Sequence, residues 1–334
     1  MYQVEKAFDR YRQELMEFPG VVGVGIGNKL VRGQDTRRPA LVVLVKEKLP
    51  LSSLKRGERI PRVLGKAETD VLEVGELRLL GRTDYQRPAQ PGMSIGHYRI
   101  TAGTLGAVVK DRQTQEPLIL SNNHVLANIT NGHDGRAAIG DPILQPGPYD
   151  GGNRDNHVIG YLERFIPLYP EVEEVTCDKA LRLERILNAF LQLWRTDYRL
   201  TFQKLRATPN RVDAAVARPV KQGAVVPEIL ELGLVRGVRE PQVGMEVVKS
   251  GRSSGVTRSK VQVIQATVRV FLDEGLKGIF EDQFITGPLA KPGDSGSLVL
   301  DKENYAVGLL FAGSDKTSVS NRISNVLETL QVEF

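Results

Sequence analysis

Two hydrophobic patterns divide the first 88 residues into a helix and several strands. Apolar residues recur at every third or fourth position over residues 3–17, which predicts one amphipathic helix. Apolar residues then alternate with glycines or form short runs, which predicts strands at 22–26, 40–45, 71–74 and 76–80. The Pro-rich stretch 86–92 is typical of a linker. The pattern therefore predicts a small α+β N-terminal module over residues 1–88.

From residue 93 onward, short β-branched runs are separated by glycine and proline, which is typical of an all-β barrel or sandwich. A helical apolar stripe ending at Trp194 interrupts this pattern and predicts a helical insertion near residues 173–205. A similar stripe over 323–330 predicts a C-terminal helix. We expect a mainly β domain over residues 89–334. The inserted stripe is expected to pack on that domain, and a subunit interface within a homo-oligomer is the alternative.

The composition indicates a folded, water-soluble chain, with 41% hydrophobic and 25% charged residues. The 45 basic and 40 acidic residues are interleaved, and no aromatic platform accompanies the basic clusters, so a nucleic-acid partner is not expected. A single cysteine, Cys177, excludes an intramolecular disulfide and a cysteine metal cluster. The charged N-terminal segment and the lack of a long apolar run predict a cytoplasmic protein without membrane contact.

The stretch from Lys291 to Ser297, Lys-Pro-Gly-Asp-Ser-Gly-Ser, is the most informative for chemistry. A serine between glycines on a tight turn exposes its hydroxyl, and the amides of Gly293 and Ser295 can point at one spot that would hold an oxyanion. Glycine suits position 293 because the required backbone geometry is often closed to residues with a Cβ. The alternative is an ordinary turn before a strand.

A serine nucleophile needs a base, and His124 is the best placed of four histidines because it follows the apolar strand 117–121. A third group must orient the imidazole, and Asp213 opens the small-residue strand 213–217. Its rivals lie in a loop or in the insertion: Asp134, Asp141, Asp150, Asp155, Asp178 and Asp197. The order His124, Asp213, Ser295 predicts a catalytic triad.

Four segments together resemble the trypsin-like serine peptidases in motif and order: Leu105–Val109, Ser121–His124, Val212–Ala215 and Gly293–Ser297. More closely, the chain is similar to bacterial proteins related to the plant NARROW LEAF family, a resemblance carried by Gly20–Gly25 and Leu72–Gly75. The resemblance implies a chymotrypsin-like domain of two six-stranded barrels with the active site between them. It also implies a serine endopeptidase that acts on polypeptides.

The same resemblance implies a specificity pocket and raises the question of activation. The residue six before the nucleophile, Leu289, is expected at the base of the pocket, and Gly313 in its wall, which predicts small or medium apolar side chains before the scissile bond. Many members of the family pair a new N-terminal amine with the aspartate before the nucleophile, here Asp294. No activation cleavage site is evident in this sequence.

Two other signals are weaker. The Gly-rich segment 23–27 lacks the spacing of a nucleotide-binding loop, and the Asp/His-rich loop 131–157 lacks recognisable metal-ligand spacing. No cofactor and no metal are therefore expected. A non-proteolytic scaffold of the same fold, acting through protein–protein interaction, is the alternative function.

Overall fold

The computed structural model describes residues 1–31, 34–75, 81–173, 175, 177–205, 208–273 and 275–334. The chain forms two compact units, Met1–Leu80 and Gly81–Phe334. None of the helices in these ranges has both the length and the apolar character needed to cross a bilayer.

The first unit is a four-stranded sheet covered on one face by a helix. Its elements are α1 (Tyr2–Met16), β1 (Val21–Val31), β2 (Gln34–Val45), a 3-10 turn (Arg56–Glu58), β3 (Val63–Leu64) and β4 (Ala67–Glu73). The strand order is β1-β2-β4-β3, with β2 and β4 parallel. Leu15 of α1 packs against Leu41 and Val43 of β2, so the apolar side of the amphipathic helix faces the core of this unit. The predicted strand at 76–80 lies outside the described residues.

The second unit is mainly β. Its strands are β5 (Ser94–His97), β6 (Gly103–Thr104), β7 (Ala107–Asp111), β8 (Pro117–Ser121), β9 (Pro142–Leu144), β10 (Val158–Phe165), β11 (Val172–Glu173), β12 (Lys204–Leu205), β13 (Ala215–Pro219), β14 (Gly237–Val238), β15 (Glu246–Gly251), β16 (Gly255–Asp273), β17 (Leu276–Thr286), β18 (Leu298–Asp301), β19 (Tyr305–Gly313), β20 (Ser318–Arg322) and β21 (Val332–Glu333). Its helices are α2 (Asn123–Leu126), α3 (Asp178–Gln192) and α4 (Ile323–Leu330), and a 3-10 turn spans Pro148–Asp150.

The first sheet of this unit closes into a barrel through one bent segment. Its order is β21-β7-β8-β13-β10-β9-β5-β6, and only Leu105 and Gly106 separate β6 from β7. Residues 103–111 therefore pair with β5 at one end and with β8 at the other. A Cβ on Gly106 would lie 2.2 Å from the carbonyl oxygen of Gly296, so glycine is required where the segment bends.

The second sheet closes directly, because β19 pairs with β18 on one edge and with β20 on the other. The resulting ring is β15-β16-β17-β20-β19-β18, with β14 added outside it. Its interior contains buried residues from five strands, among them Val247, Val261 and Phe284. The fold is thus mainly β, with two barrel-like sheets preceded by a small α+β unit, as the sequence predicts.

The stretch expected as a linker forms part of the second unit. Gln86 donates its N–H to Gln145 Oε1 at 3.1 Å, and Ala89 donates its N–H to the carbonyl oxygen of Ala224 at 2.9 Å. Both partners belong to the unit that begins at Gly81. The compact units therefore divide between residues 80 and 81, eight residues before the boundary expected from composition.

Candidate active site

His124 and Asp213 come together because strands β8 and β13 are neighbours. Ala215 pairs with Ser121, which brings the residue two positions before Ala215 next to the short helix that carries His124. The amide of Asn122 donates to the carbonyl oxygen of Asp213 at 2.7 Å and fixes the two segments relative to each other. The register between β8 and β13 thus explains why two residues at strand ends, His124 and Asp213, lie next to each other.

The contact between the two side chains orients the imidazole. Asp213 Oδ2 lies 2.5 Å from His124 Nδ1, and Asp213 Oδ1 accepts the backbone N–H of His124 at 3.2 Å. The Asp213 side chain is 3% exposed and that of His124 is 26% exposed. A carboxylate only accepts hydrogen bonds, so Nδ1 carries the proton and Nε2 is left as the basic nitrogen.

Ser295 lies on a tight turn whose glycines are required by their conformation. Gly293 and Gly296 have φ angles of 95° and 92°, in the left-handed region. A Cβ on Gly296 would lie 2.1 Å from Ser121 Oγ. The carbonyl oxygen of Ser295 accepts the N–H of Thr104 at 2.7 Å, which ties the turn to the first barrel.

The hydroxyl of Ser295 is directed to the wall of the cavity that contains the histidine. Ser295 Oγ lies 3.5 Å from the carbonyl oxygen of Phe311, and Phe311, His124 and Asp213 line the same cavity of about 400 Å³. Among the described contacts, Ser295 makes no hydrogen bond to His124. The histidine–aspartate pair is therefore formed, whereas the serine hydroxyl contacts the Phe311 carbonyl oxygen.

The amides expected to form the oxyanion hole have no hydrogen-bond acceptor within the described part of the chain. Neither the N–H of Gly293 nor that of Ser295 donates to a protein group, although the next two amides, those of Gly296 and Ser297, do. An unsatisfied N–H is costly unless water or a ligand accepts from it. The two amides are therefore free to donate to an external acceptor.

Asp294, directly before the serine, is paired with a buried lysine that the sequence reasoning missed. Its Oδ2 lies 3.0 Å from Lys249 Nζ, and both side chains are fully buried. Lys249 Nζ also donates to Ser254 Oγ at 2.5 Å and to the carbonyl oxygen of Gly255 at 3.0 Å. Asp294 Oδ1 accepts the N–H groups of Ser253 and Ser254 at 2.8 and 3.0 Å. The pair meets the hydrogen-bonding requirement of a buried charge.

Both pKa values of this pair depart from their ordinary values. Burial, the largest influence, lowers the pKa of Lys249, and Asp294 opposes that change. For Asp294 burial alone would raise the pKa, but hydrogen bonds from Ser254 and from the Lys291 N–H, together with the Lys249 charge, lower it. The lysine occupies the place that the family resemblance gave to a new N-terminal amine.

A second ion pair holds the turn from the side of the first barrel. Arg252 Nε and Nη2 donate to the two oxygens of Asp150 at 2.7 and 2.5 Å, and the two side chains are 13% and 8% exposed. The Arg252 N–H donates to Thr104 Oγ1 at 3.0 Å, and Thr104 Oγ1 donates to the carbonyl oxygen of Gly293 at 2.9 Å. Residues from both barrels therefore determine the geometry around Gly293.

The two residues expected in the specificity pocket lie in different places. Gly313 lines the cavity of His124, whereas Leu289 is 2% exposed and packs in the core with Val247 and Val261. The Leu289 N–H donates to Ser318 Oγ and its carbonyl oxygen accepts from Thr257, and these contacts hold the Leu289 side chain in the core of the barrel. The remaining lining residues come mostly from β16 and from β19 to β20: Arg269, Val270, Phe271, Leu272, Phe311, Ala312, Ser314, Thr317 and Val319.

Two of the other histidines, His97 and His157, have structural partners. His97 is fully buried and its Nε2 lies 3.1 Å from Asp141 Oδ2; burial lowers the pKa of His97, and Asp141 opposes that change. His157 Nδ1 accepts the N–H of Asn153 at 3.1 Å. In the described ranges, no three His, Cys, Asp or Glu side chains are grouped as metal ligands.

Solved structures with a similar fold are chymotrypsin-fold serine proteases. Nocardiopsis protease is 15% identical over 73% of this chain and 97% of its own, with a TM-score of 0.47. Thermobifida fusca protease A is 15% identical over 73% and 96%, with a TM-score of 0.46, and Cellulomonas bogoriensis chymotrypsin is 15% identical over 73% and 97%, with a TM-score of 0.43. No protein-family model and no curated protein matches the sequence.

Proposed function

We propose that this chain is a serine endopeptidase in which His124, Asp213 and Ser295 form the catalytic triad. The observation that carries the proposal is the buried, hydrogen-bonded Asp213–His124 pair in a cavity whose wall the Ser295 hydroxyl contacts. A paired imidazole, a serine on a strained turn and two free amides are the parts that acyl transfer requires.

In the proposed reaction, Ser295 Oγ attacks the peptide carbonyl carbon while His124 Nε2 takes the hydroxyl proton. Asp213 stabilises the imidazolium that forms. The carbonyl oxygen becomes an oxyanion that accepts hydrogen bonds from the Gly293 and Ser295 amides. His124 then donates the proton to the leaving amine as the C–N bond breaks. A water molecule, deprotonated by His124, hydrolyses the acyl-enzyme and restores Ser295.

The neighbourhood of Ser295 fits an extended peptide. Strand β19 pairs with β18 only from Ala306 to Leu309. Ala312 and Gly313 of β19 lie beyond the end of this pairing. They directly follow Phe311, whose carbonyl oxygen faces Ser295. A substrate strand placed there would form main-chain hydrogen bonds. We therefore infer that the substrate is a polypeptide.

The cavity supports the preference for small or medium apolar side chains. Val270, Leu272, Phe311 and Val319 provide its apolar lining, and Arg269 is its only cation among the described residues. Arg269 forms a two-point ion pair with Glu171, at 2.7 and 2.8 Å, and the carboxylate in the lining, Asp213, is paired with His124. Among the described lining residues, no carboxylate is therefore free to pair with a basic side chain. A substrate Arg or Lys would lack an ion-pair partner, which disfavours cleavage after these residues.

We further infer that the turn forms without N-terminal cleavage, because Lys249 already pairs with Asp294. The relation to NARROW LEAF-like proteins and the cytoplasmic location remain predictions from the sequence. For experiments on separate domains, we propose the boundary between residues 80 and 81.

A non-proteolytic scaffold is the second candidate, favoured by the contact of Ser295 with Phe311 rather than with His124. Labelling with a fluorophosphonate probe distinguishes the two, since the probe phosphonylates only an activated serine. Intact-mass measurement should show one label on the wild-type chain. Ser295→Ala should not be labelled, and its peptidase activity should be lower by about 10⁶-fold. Ser324→Ala is the control in the same unit, because among the described contacts the Ser324 hydroxyl makes no hydrogen bond. An unlabelled, folded wild type would favour the scaffold.

A further inference from the structure

Helix α3 and the turn that follows it expose a continuous apolar surface, which we call the α3 patch. It comprises Leu183 (48% exposed), Ile186 (53%), Leu187 (39%), Phe190 (65%), Leu193 (77%) and Trp194 (86%). Residues 183, 187, 190 and 194 follow helical spacing, and the Arg195 N–H still donates to the Leu191 carbonyl oxygen, so the stripe continues through Trp194. No residue of α3 is buried. The sequence-based expectation that this stripe packs on the β domain is wrong.

Polar contacts on another side of α3 fix the direction in which the patch faces. Asn188 exchanges two hydrogen bonds with the backbone of Leu200, both at 2.7 Å, and Glu184 accepts the Phe202 N–H at 3.0 Å. On a helical wheel, residues 184 and 188 lie about 100–140° from residue 183. The return segment therefore holds the polar side of the helix and leaves the apolar side exposed.

The size of the α3 patch fits a protein interface. With about 200 Å² for a fully exposed side chain of this size, the six residues expose about 700 Å². The largest apolar patch of a typical monomer is about 300–600 Å², and a standard interface buries about 800 Å² on each partner. Two copies of the patch facing each other would bury an area within the usual range for a specific dimer.

The spacing of the patch is also the same when read in either direction. Leu183, Leu187, Phe190 and Trp194 are separated by four, three and four positions. A two-fold axis between residues 188 and 189 therefore places Leu183 opposite the second copy's Trp194 and Leu187 opposite its Phe190. Such self-complementarity is what an isologous contact requires. We propose that the α3 patch is a homodimer interface, formed by antiparallel pairing of α3 with α3 of a second copy.

The only tryptophan of the chain lies in the patch and reports directly on its burial. Light scattering on a sizing column should show a dimer, and dilution should shift both the mass to that of a monomer and the Trp194 emission to longer wavelength. Phe190→Glu should be monomeric at every concentration, and its Trp194 emission should stay at the longer wavelength of the wild-type monomer. Val243→Glu, which replaces an apolar residue that is 65% exposed elsewhere in the second unit, is the matched control and should remain dimeric.

Three results would overturn the proposal: a wild-type chain that stays monomeric at all concentrations, a dimer that persists in Phe190→Glu, or a shift in Trp194 emission only on adding anionic lipid vesicles. The last result would assign the patch to a membrane surface. Because the measurements do not depend on peptidase activity, they remain valid if the proposed function fails.

Cys177 tests the direction of pairing, because it is exposed and directly precedes α3. At 1.5 Å per residue, antiparallel pairing about the stated axis separates the two Cys177 residues by about 35 Å, whereas parallel pairing would place them side by side. Mild oxidation of the dimer should therefore give no covalent dimer on a non-reducing gel, as with Cys177→Ser. A disulfide dimer in the wild type alone would contradict the antiparallel arrangement.

Discussion

Lys249 and Asp294 are charged residues with fully buried side chains, whereas Phe190 and Trp194 are large apolar residues more than half exposed. The buried charges contact several partners each, whereas the exposed rings lie on α3, which has no buried residue, and on the turn that follows it. Buried charge is destabilising unless it is satisfied, and exposed apolar surface is destabilising unless a partner covers it. The first condition is met inside the chain; the second, we propose, is met by another copy of it.

This difference makes the two regions sensitive to different changes. Near Ser295, removal of one polar group leaves another buried and unpaired, so a small change should have a large effect. On α3, solvent already surrounds the side chains, so truncation should barely affect folding.

Asp213→Asn should have a larger effect on turnover than any change on α3. The Asn amide N–H can donate a hydrogen bond to Nδ1, which would favour the tautomer whose proton is on Nε2, the nitrogen that must accept the serine proton. We expect turnover to fall by about 10⁴, with unchanged circular dichroism. Steady-state hydrolysis of a peptide library by the wild type and the variant measures the effect. A loss below about tenfold would assign the orienting role to another carboxylate.

Lys249→Met should destabilise the chain by about 3–5 kcal/mol, because it leaves the Asp294 carboxylate buried without its cation. The variant should also lose fluorophosphonate labelling, since the turn that carries Ser295 depends on this pair. Urea denaturation measures the free energy of unfolding. The double variant Lys249→Met/Asp294→Asn removes both charges and should recover most of the stability. Equal losses in the single and double variants would show that packing, not charge, explains the effect.

Acid should weaken the same pair by a smaller amount. Because the pKa of Asp294 is lowered in the fold, its ionisation stabilises the folded state at neutral pH, and this contribution is lost as the pH falls through the lowered pKa. Relative to the neutral double variant, the wild type should therefore lose free energy of unfolding as the pH falls from about 5 towards 2. Lys249 stays protonated in this range and does not change the sign. A difference independent of pH would mean that Asp294 does not titrate on unfolding.

The sequence predicted the two barrel-like sheets, and strand edges were the signal for the proposed site residues. His124 and Asp213 could be found because each lies next to a regular apolar run, and Ser295 because its turn has a distinctive composition. Lys249 was missed because a single lysine in a strand pattern normally points to solvent. Only the antiparallel hairpin of β15 and β16, with Ser254 and Gly255 at its turn, shows that acceptors surround it.

The errors have a common cause in chain segments whose course is set by distant contacts. Leu289 was assigned by counting back from Ser295, but the segment before the serine turns inward, where Thr257 and Ser318 hold its backbone. The stretch 86–92 has the composition of a linker, yet Gln145 and Ala224 hold it on the second unit. The composition of a segment gives no information about such hydrogen bonds to distant residues.

Phe190→Ser should have the smallest effect on folding. Its side chain is 65% exposed, so truncation in the monomer removes little buried surface and should change the free energy of unfolding by less than about 0.5 kcal/mol. Phe284→Ala is the matched control: Phe284 is fully buried in the second barrel, and its loss should destabilise by about 3–5 kcal/mol. Both are measured by urea denaturation at a dilution where light scattering shows monomer. At higher concentration, Phe190→Ser should fall behind the wild type, because only the wild type gains stability from association. If the dilute variant were as unstable as Phe284→Ala, the α3 patch would have to be covered by its own chain, and the contrast between the two regions would disappear.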